Sequence, residues 1–294
     1  MLRRMARRVL PDTVFRFLKR QAKQRRKRRL ERFPKLSEAA FRRLLTERLH
    51  LRAGSVVFIH SSTDSMNLGF PLVRVLPILQ ETVGEEGTLL FPCYHIRGRA
   101  EEYLRRGDVF DVANTGTVMG ILPELARRQK GAFRSLHPTN SVVAIGKHAQ
   151  VLTKTHPESI YPCGEQSPYY KIVHYDGIVI GLGVDTRSLS LPHCIEDIWQ
   201  DRFPLQTRMP EVFPAKVIDW DGRERVVNTL AAHPRIRWRN IPRYVRQYVP
   251  NNICEDFTVE GMNYFRANAK ELYATMEQLA AKGITIYRRK AWKR

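Results

Sequence analysis

The segment "HCIE" places an imidazole and a carboxylate three positions apart, at His193 and Glu196. On a helix, side chains at this spacing lie on one face. A carboxylate beside an imidazole fixes its tautomer and raises its basicity, which is what a general base requires. Spacing alone favours a surface ion pair, and half of a metal site or a catalytic pair are the alternatives. No H-x-x-x-H segment supplies the second half of a metal site.

Two polar segments supply groups that suit anionic ligands. The first is "HSS", at His60, Ser61 and Ser62, which directly follows an apolar run typical of a buried strand. Loops at the carboxyl ends of parallel strands bind ligands, and their hydroxyl and backbone N–H groups hold phosphate or amide oxygens. The second segment, "RSLHPTNS", joins a guanidinium, hydroxyls and a histidine. A surface turn at Pro138 is its simpler interpretation, and an anion site with Arg134 as the charge partner is the alternative.

The four cysteines are widely spaced and none forms a C-x-x-C pair, so a thiolate zinc site is not expected. A sparse set without a pattern suits a reducing cytoplasm. Cys194 is adjacent to His193, but neighbouring side chains diverge on a helix. This divergence argues against a thiol nucleophile that works with the histidine.

The elements that must position these residues alternate between strands and helices. The candidates in chain order are a helix at 36–51, strands at 55–62 and 87–92 around a helix at 73–82, a helix at 119–128, and strands at 141–145 and 177–184. Asp221-Gly222 between two alternating runs predicts a hairpin, and 259–282 is predicted to form a long helix ended by Gly283. This order predicts an α/β fold in a single domain, with a largely parallel central sheet flanked by helices, a hairpin and a C-terminal helix.

Positive charge is concentrated at the start of the chain. The net charge is +21, and residues 1–32 contribute +12 from fourteen basic and two acidic residues. Val14, Phe15 and Leu18 recur there at helical spacing among the basic residues. An Arg-rich amphipathic helix suits an anionic membrane surface, nucleic acid or a solvated tail, and these three interpretations stay open. We expect a basic amphipathic arm at 1–32 and an enzyme domain at 33–294.

Composition limits where such a chain resides. Hydrophobic residues make up 43% of the sequence, mean hydropathy is −0.39, and no stretch approaches the ~20 apolar residues that a membrane-spanning helix needs. The start also lacks the uninterrupted apolar region of a secretory signal. The sequence therefore predicts a cytoplasmic protein, peripheral on the inner face of the membrane if the arm binds lipid.

Several segments occur in the order found in the aminoglycoside 3-N-acetyltransferase family, and through them the chain resembles that family. The segments are "VVFIHSS" (56–62), "VGEEGTLLFP" (83–92), "RSLHPTNSVVAIGKHA" (134–149), "GEQSPYYKI" (164–172), "DGIVIGLGV" (176–184) and "HCIE" (193–196). The resemblance implies an α/β fold, acetyl-CoA as acyl donor, and direct transfer to an amine in a ternary complex without a metal. It implies that His193 takes the proton from the amine, with Glu196 as its carboxylate neighbour. The residues that it implies around the coenzyme are His60, Ser61, Ser62, Arg134, Ser135, His137 and Thr139.

The resemblance is weaker where an acceptor would bind. Beyond Asp201 the chain does not match the drug-modifying members clearly, and "RIRWRNIPRYVR" (235–246) carries five arginines without an acid. Such a region repels a polycationic aminoglycoside and favours an anionic or lipid-linked amino-sugar, as used in surface-polysaccharide assembly. We therefore expect an amino-sugar or glycan acceptor first and an aminoglycoside, with antibiotic resistance, second. The alternatives are O-acyl transfer to a glycan and a non-catalytic protein that binds membrane or nucleic acid.

Overall fold

The computed structural model describes residues 12–234, 236 and 239–287. Its α-helices are α1 (Asp12–Leu30), α2 (Glu38–Arg43), α3 (Val75–Val83), α4 (Ala100–Arg106), α5 (Ile121–Arg127), α6 (Ala149–Thr153), α7 (Pro168–Lys171), α8 (Pro192–Trp199), α9 (Ile241–Tyr248) and α10 (Ala269–Ala281). Its strands are β1 (Val56–Ser61), β2 (Thr88–Pro92), β3 (Phe110–Asp111), β4 (Phe133–Arg134), β5 (Val142–Gly146), β6 (Ile178–Leu182), β7 (Arg208–Ile218), β8 (Glu224–Ala232), β9 (Cys254–Val259) and β10 (Met262–Asn268).

Seven strands form the central sheet in the order β4-β5-β2-β1-β6-β10-β9. The three central strands, β2, β1 and β6, are parallel, and the outer pairings are antiparallel. The predicted α/β fold with a large central sheet flanked by helices is confirmed. The sheet is mixed rather than largely parallel, because four of its six pairings are antiparallel and the two parallel ones lie in its middle. The carboxyl ends of β1, β2 and β6 therefore share one edge, where parallel sheets place ligand sites.

Both faces of the central sheet are buried. Val57 and Ile59 of β1 belong to one apolar cluster, which α2, α3 and α5 cover, whereas Val56 and Phe58 belong to the cluster beneath α8 and α10. Burial on both faces explains why β1 is an almost continuous apolar run rather than an alternating one. The polar residues that end β1 consequently stand out as candidates for function.

A second, smaller sheet has the order β3-β7-β8. β7 and β8 form the predicted hairpin, and Gly222 at its turn has a φ of 76°, as the Asp-Gly signal requires. The backbone N–H of Leu230 in β8 donates to the carbonyl of Ile160 at 2.8 Å. This bond joins the hairpin to the loop that runs towards the candidate site.

The predicted long helix at 259–282 is wrong in its first half. Residues 254–268 form the antiparallel pair β9 and β10, and helix α10 begins only at Ala269, where the Asn268 side chain accepts the N–H of Glu271. Glu260 and Gly261 make the turn, with φ values of 46° and 71°. Over a segment as short as β10, the apolar positions fit both a strand and one face of a helix. Periodicity alone therefore does not distinguish a strand from a helix here.

The basic arm forms a helix that ends against the body of the protein. Leu30 is buried in the core, and its carbonyl accepts the Asn67 side chain at 3.0 Å. Arg26 donates to Ser65 Oγ at 2.6 Å, and Arg29 donates to the carbonyl of Gly261 at 3.1 Å. The last residues of the predicted arm, just before its boundary at residue 32, therefore pack against the predicted domain.

The front of the arm is exposed, including Val14 and Leu18, which the sequence analysis placed on its apolar face. Residues 1–11 and the side chain of Phe15 lie outside the described residues. Within the described ranges, every helix falls short of the length and apolarity needed to cross a membrane.

Candidate active site

Helix α8, which carries the "HCIE" segment, follows a tightly bonded loop after β6. Thr186 donates its N–H and hydroxyl to the two carboxylate oxygens of Asp256, at 2.7 and 2.6 Å. Pro192 opens the helix, where its missing N–H costs nothing. The N–H of His193 donates to the carbonyl of Ser190 at 2.9 Å. The loop therefore fixes where the helix begins and, through it, where His193 lies.

His193 and Glu196 form the predicted pair. His193 Nδ1 lies 3.0 Å from Glu196 Oε1, and the Tyr287 hydroxyl donates to the same oxygen at 2.9 Å. Burial disfavours ionisation of this carboxyl, whose side chain is 3% exposed. The electrostatic attraction and hydrogen bond of the His193 imidazole, helped by Arg208 and Tyr287, outweigh burial and hold the pKa of Glu196 below its ordinary value. An ionised Glu196 accepts the Nδ1 proton of the imidazole.

Arg239 contacts the other nitrogen of the same imidazole. Its Nη1 lies 3.0 Å from His193 Nε2. A guanidinium only donates, so Nε2 must accept and the proton of the neutral ring must be on Nδ1. Two neighbours therefore select one tautomer, in which the Nε2 lone pair faces away from Glu196. This is the tautomer that a general base needs.

Behind the pair lies a buried ion pair between Asp197 and Arg208. Arg208 donates to both oxygens of Asp197 at 2.6 Å, and Asp197 Oδ2 also accepts the N–H of Cys163 at 2.7 Å. Asp197 is buried, so removal of either partner leaves an uncompensated charge in the core. The ion pair ties helix α8 to β7 and to the loop at Cys163.

The thiols near the pair are buried. Burial raises the pKa of Cys163 and of Cys194 well above the ordinary value. A thiol rather than a thiolate is a poor nucleophile. The structure therefore supports the expectation that Cys194 does not act beside His193.

His60 lies at the carboxyl end of β1 and faces the loop before α8. Its Nε2 is 3.1 Å from Ser190 Oγ, and burial lowers its pKa to about 3, so the ring is neutral. Ser61 and Ser62 are half-buried, and Ser62 Oγ lies 3.0 Å from Ser65 Oγ. Through Ser190, the structure connects the "HSS" segment to the backbone of His193.

Arg134 does not lie at the surface. Its guanidinium donates to the carbonyls of Cys93, Val112 and Thr115 and to Ser141 Oγ, and the residue is 2% exposed. All three of its nitrogens are used within the protein. A direct charge contact with an anionic ligand is therefore not supported, and the geometry favours a role in holding the loops that follow β2.

Ser135, His137 and Thr139 are also buried beside Arg134. His137 Nδ1 accepts the N–H groups of Thr139 and Asn140, at 3.3 and 3.1 Å. The His137 ring stacks on His156 with centroids 4.4 Å apart, and His156 Nδ1 lies 2.8 Å from Ser135 Oγ. Burial lowers the pKa of His156 to about 4, so it adds no charge. These residues form a buried neutral cluster, and their contact with coenzyme stays a prediction.

Sequence patterns missed several residues of this site. Tyr287 and Arg239 reach the pair from distant segments, joined by an isolated antiparallel bridge between their backbones. Asp197 follows Glu196 directly, and an acidic pair on one short helix was a usable signal for it. Ser190 gave no signal of its own. Arg235 and Arg237 of the cationic segment lie outside the described residues.

Comparisons with known proteins identify the family of the chain. The sequence profile of the aminoglycoside 3-N-acetyltransferase family matches residues 58–281. Aminoglycoside N(3)-acetyltransferase III from Serratia marcescens is 28% identical over 226 residues, which cover 72% of this chain and 76% of that protein. The protein of the same name from a Salmonella species is 30% identical over 217 residues, which cover 63% of this chain and 76% of that protein.

Solved structures show the same fold. The crystal structure of aminoglycoside acetyltransferase AAC(3)-Xa superposes with a TM-score of 0.73 at 21% identity, covering 90% of this chain and 99% of that one. AAC-IIIb, solved as a binary complex with CoASH, gives 0.68 at 20% identity, covering 86% and 98%. The family profile spans most of the chain, and its acyltransferase class agrees with the prediction from the motifs. The protein belongs to the aminoglycoside 3-N-acetyltransferase family.

Proposed function

We propose that the protein transfers an acetyl group from acetyl-CoA to an amino group of an amino-sugar or aminoglycoside-like acceptor, with His193 as general base. The single observation that carries the proposal is the oriented His193–Glu196 pair, in which Glu196 accepts at Nδ1 and leaves the lone pair on Nε2. Its place near the carboxyl ends of the central parallel strands, where α/β proteins bind ligands, supports this role.

The chemistry needs only this base and correct positioning. An ammonium is not a nucleophile, so the acceptor first loses one proton to solvent. The free amine then attacks the thioester carbonyl and gives its second proton to His193 Nε2. The C–S bond then breaks, and the departing CoA sulfur takes the proton from Nε2, which gives the N-acetyl product and CoA. Glu196 stabilises the imidazolium between these steps. A thioester is already activated, so direct transfer in a ternary complex suffices without an acyl-enzyme.

The coenzyme is proposed to lie along the "HSS" segment. The half-buried Ser61 and Ser62 offer hydroxyls at the end of β1, and His60 holds Ser190 close to His193. The family resemblance also implies that Arg134, Ser135, His137 and Thr139 lie near the coenzyme, where these buried residues would support the surrounding loops rather than contact the ligand. Support also comes from relatives, since AAC-IIIb was solved with CoASH and AAC-VIa with sisomicin.

Release of free CoA from acetyl-CoA, measured over a panel of amines and sugar alcohols, tests the proposal. His193→Ala should reduce turnover with saturating acceptor by about 100-fold or more, as expected for loss of a general base. Glu196→Gln should reduce it less, because Glu196 orients the ring. His174→Ala is the matched control, since His174 is exposed, and its turnover should equal that of the parent.

Two results would contradict the proposal. Parental turnover in His193→Ala would remove His193 as the base. Release of CoA with sugar alcohols but with none of the amines would assign O-acyl transfer instead, and no release with any acceptor would favour a binding protein.

A further inference from the structure

The contact between Arg239 and His193 conflicts with the proposed reaction. Arg239 Nη1 donates to Nε2, and Nε2 is the atom that must take the proton of the acceptor amine. One lone pair cannot serve a guanidinium and an amine at the same time. The structure therefore shows a blocked base, and a substrate must displace Arg239 before the base can act.

The charge of Arg239 is free to meet a ligand. Its backbone is held by the bridge to Tyr287, but its side chain is exposed. The two acidic side chains of the site are already used, because Glu196 binds His193 and Tyr287, and Asp197 binds Arg208 at both oxygens. Within the described part of the chain, Arg239 forms no ion pair with a carboxylate.

The surroundings add positive charge rather than neutralise it. Helix α9 begins two residues after Arg239, and its Arg243 and Arg246 are exposed at i, i+3 spacing, on one face. Neither forms an ion pair among the described residues. An anion that approaches this side of the site meets several cations, whereas a polycation is repelled.

We infer that Arg239 selects acceptors that carry a phosphate or carboxylate near the reacting amine, and that this anion draws the guanidinium away from His193. A guanidinium binds either anion through two parallel hydrogen bonds, which are stronger than its single bond to a neutral imidazole. The anion thereby frees Nε2 at the moment when the amine arrives beside it. This inference rests on the proposed acetyl transfer and assigns its acceptor class.

Paired acceptors with the same amine test the inference. Acetyl-CoA-dependent acetylation is measured for glucosamine, glucosamine 6-phosphate and glucosaminuronic acid, with kcat and KM determined separately. The parent should prefer an anionic acceptor over glucosamine by about 10-fold to 100-fold in kcat/KM, the range for hydrogen bonds between charged groups. Comparison of the two anionic arms identifies whether phosphate or carboxylate is used.

Arg239→Met should reduce this preference to about 1-fold, because the anion loses its partner. It should also raise kcat with glucosamine, because the base is no longer blocked, and a purely structural role would not produce that gain. Arg239→Lys keeps the charge without the planar fork and should keep part of the preference. Arg52→Met is the control, since Arg52 is exposed on the loop before β1, at the opposite edge of the sheet.

The outcomes are distinct. If the parent acetylates amines but prefers glucosamine, or if Arg239→Met keeps the full preference, the inference is wrong and the proposed function stands. If Arg239→Met does not fold, Arg239→Lys provides the test instead. A preference for anionic acceptors equal to that of the parent would then overturn the inference. If the parent acetylates no amine, both the proposed function and the inference fail.

Discussion

Arg134 joins stretches of backbone that are far apart in the sequence. It donates to carbonyls after β2 and around 112–115, and its guanidinium carbon lies 4.7 Å from the centre of the Phe110 ring. Burial of a charge is tolerated only when hydrogen bonds satisfy it, and here backbone oxygens do so. The residue therefore acts through the fold rather than through direct contact with a ligand.

Replacement of Arg134 by Met should destabilise the protein in the absence of coenzyme. The change removes the Arg134 donor from the carbonyls of Val112 and Thr115, at about 1–3 kcal/mol each, whereas the Cys93 carbonyl still accepts Ser141 Oγ. We therefore expect a loss of about 2 kcal/mol or more in the free energy of unfolding. Urea denaturation followed by circular dichroism measures it. Arg128→Met should change the free energy by less than about 0.5 kcal/mol, because Arg128 is exposed and forms a surface ion pair with Glu124. Equal midpoints for the two variants would contradict the structural role.

At the scale of single residues, the sequence predicts only those contacts that join residues close to each other in the chain. His193 and Glu196 lie on one turn of helix, so their spacing predicted their contact. Tyr287 lies 91 residues beyond Glu196, and Arg239 lies 46 residues beyond His193, so no local spacing predicts these contacts. For Arg134, the residue type suggested an anion, but burial decides between a ligand and a structural role, and burial was not readable from that loop.

At the scale of elements, the two hairpins show where the sequence pattern predicts the structure and where it does not. The Asp221-Gly222 hairpin was predicted because its strands alternate clearly and its turn is Asp-Gly. The second hairpin turns at Glu260-Gly261, and its β10 strand is followed at once by helix α10. The change from the two-residue period of a strand to the 3.6-residue period of a helix lies inside one apolar segment. The sequence pattern therefore assigns the whole segment to the helix.

The Gly261 turn also contacts the basic arm, and a paired substitution tests this contact. Gly261 and Gly222 both have left-handed backbones, so alanine at either position costs about 1 kcal/mol. A Cβ on Gly261 would lie 2.5 Å from Phe33 Cδ2, whereas one on Gly222 meets nothing within 4 Å. We expect Gly261→Ala to lose about 1 kcal/mol more than Gly222→Ala in the free energy of unfolding, measured with urea. Equal losses would show that Phe33 does not constrain the turn.

At the scale of the whole molecule, charge is divided between two basic regions. The arm carries +12 of the net +21, and the segment around Arg239 carries a second cluster of arginines near the site. The arm ends in a packed contact, in which Arg26 reaches the loop after β1 and Leu30 enters the core. The front of the arm, by contrast, presents Val14, Phe17 and Leu18 to solvent at i, i+3 and i+4 spacing.

This exposed apolar face within a basic helix predicts binding to anionic membrane surfaces. The full chain should sediment with vesicles of phosphatidylcholine and phosphatidylserine and stay in solution with phosphatidylcholine alone. Each basic side chain near such a surface contributes on the order of 1 kcal/mol, and apolar insertion adds to this attraction. Binding should weaken as salt rises, because ions screen the charges.

Two truncations separate this membrane role from the structural role of the arm. Deletion of residues 1–23 removes the exposed face and more than half of the basic residues of the arm, so it should abolish vesicle binding while the melting temperature stays near that of the parent. Deletion of residues 1–32 also removes Leu30, Arg26 and Arg29, so it should lower the melting temperature as well. Competing DNA that strips the full chain from the vesicles would favour nucleic acid as the partner. A full chain that stays in the supernatant at low salt without DNA would leave the arm as a solvated extension.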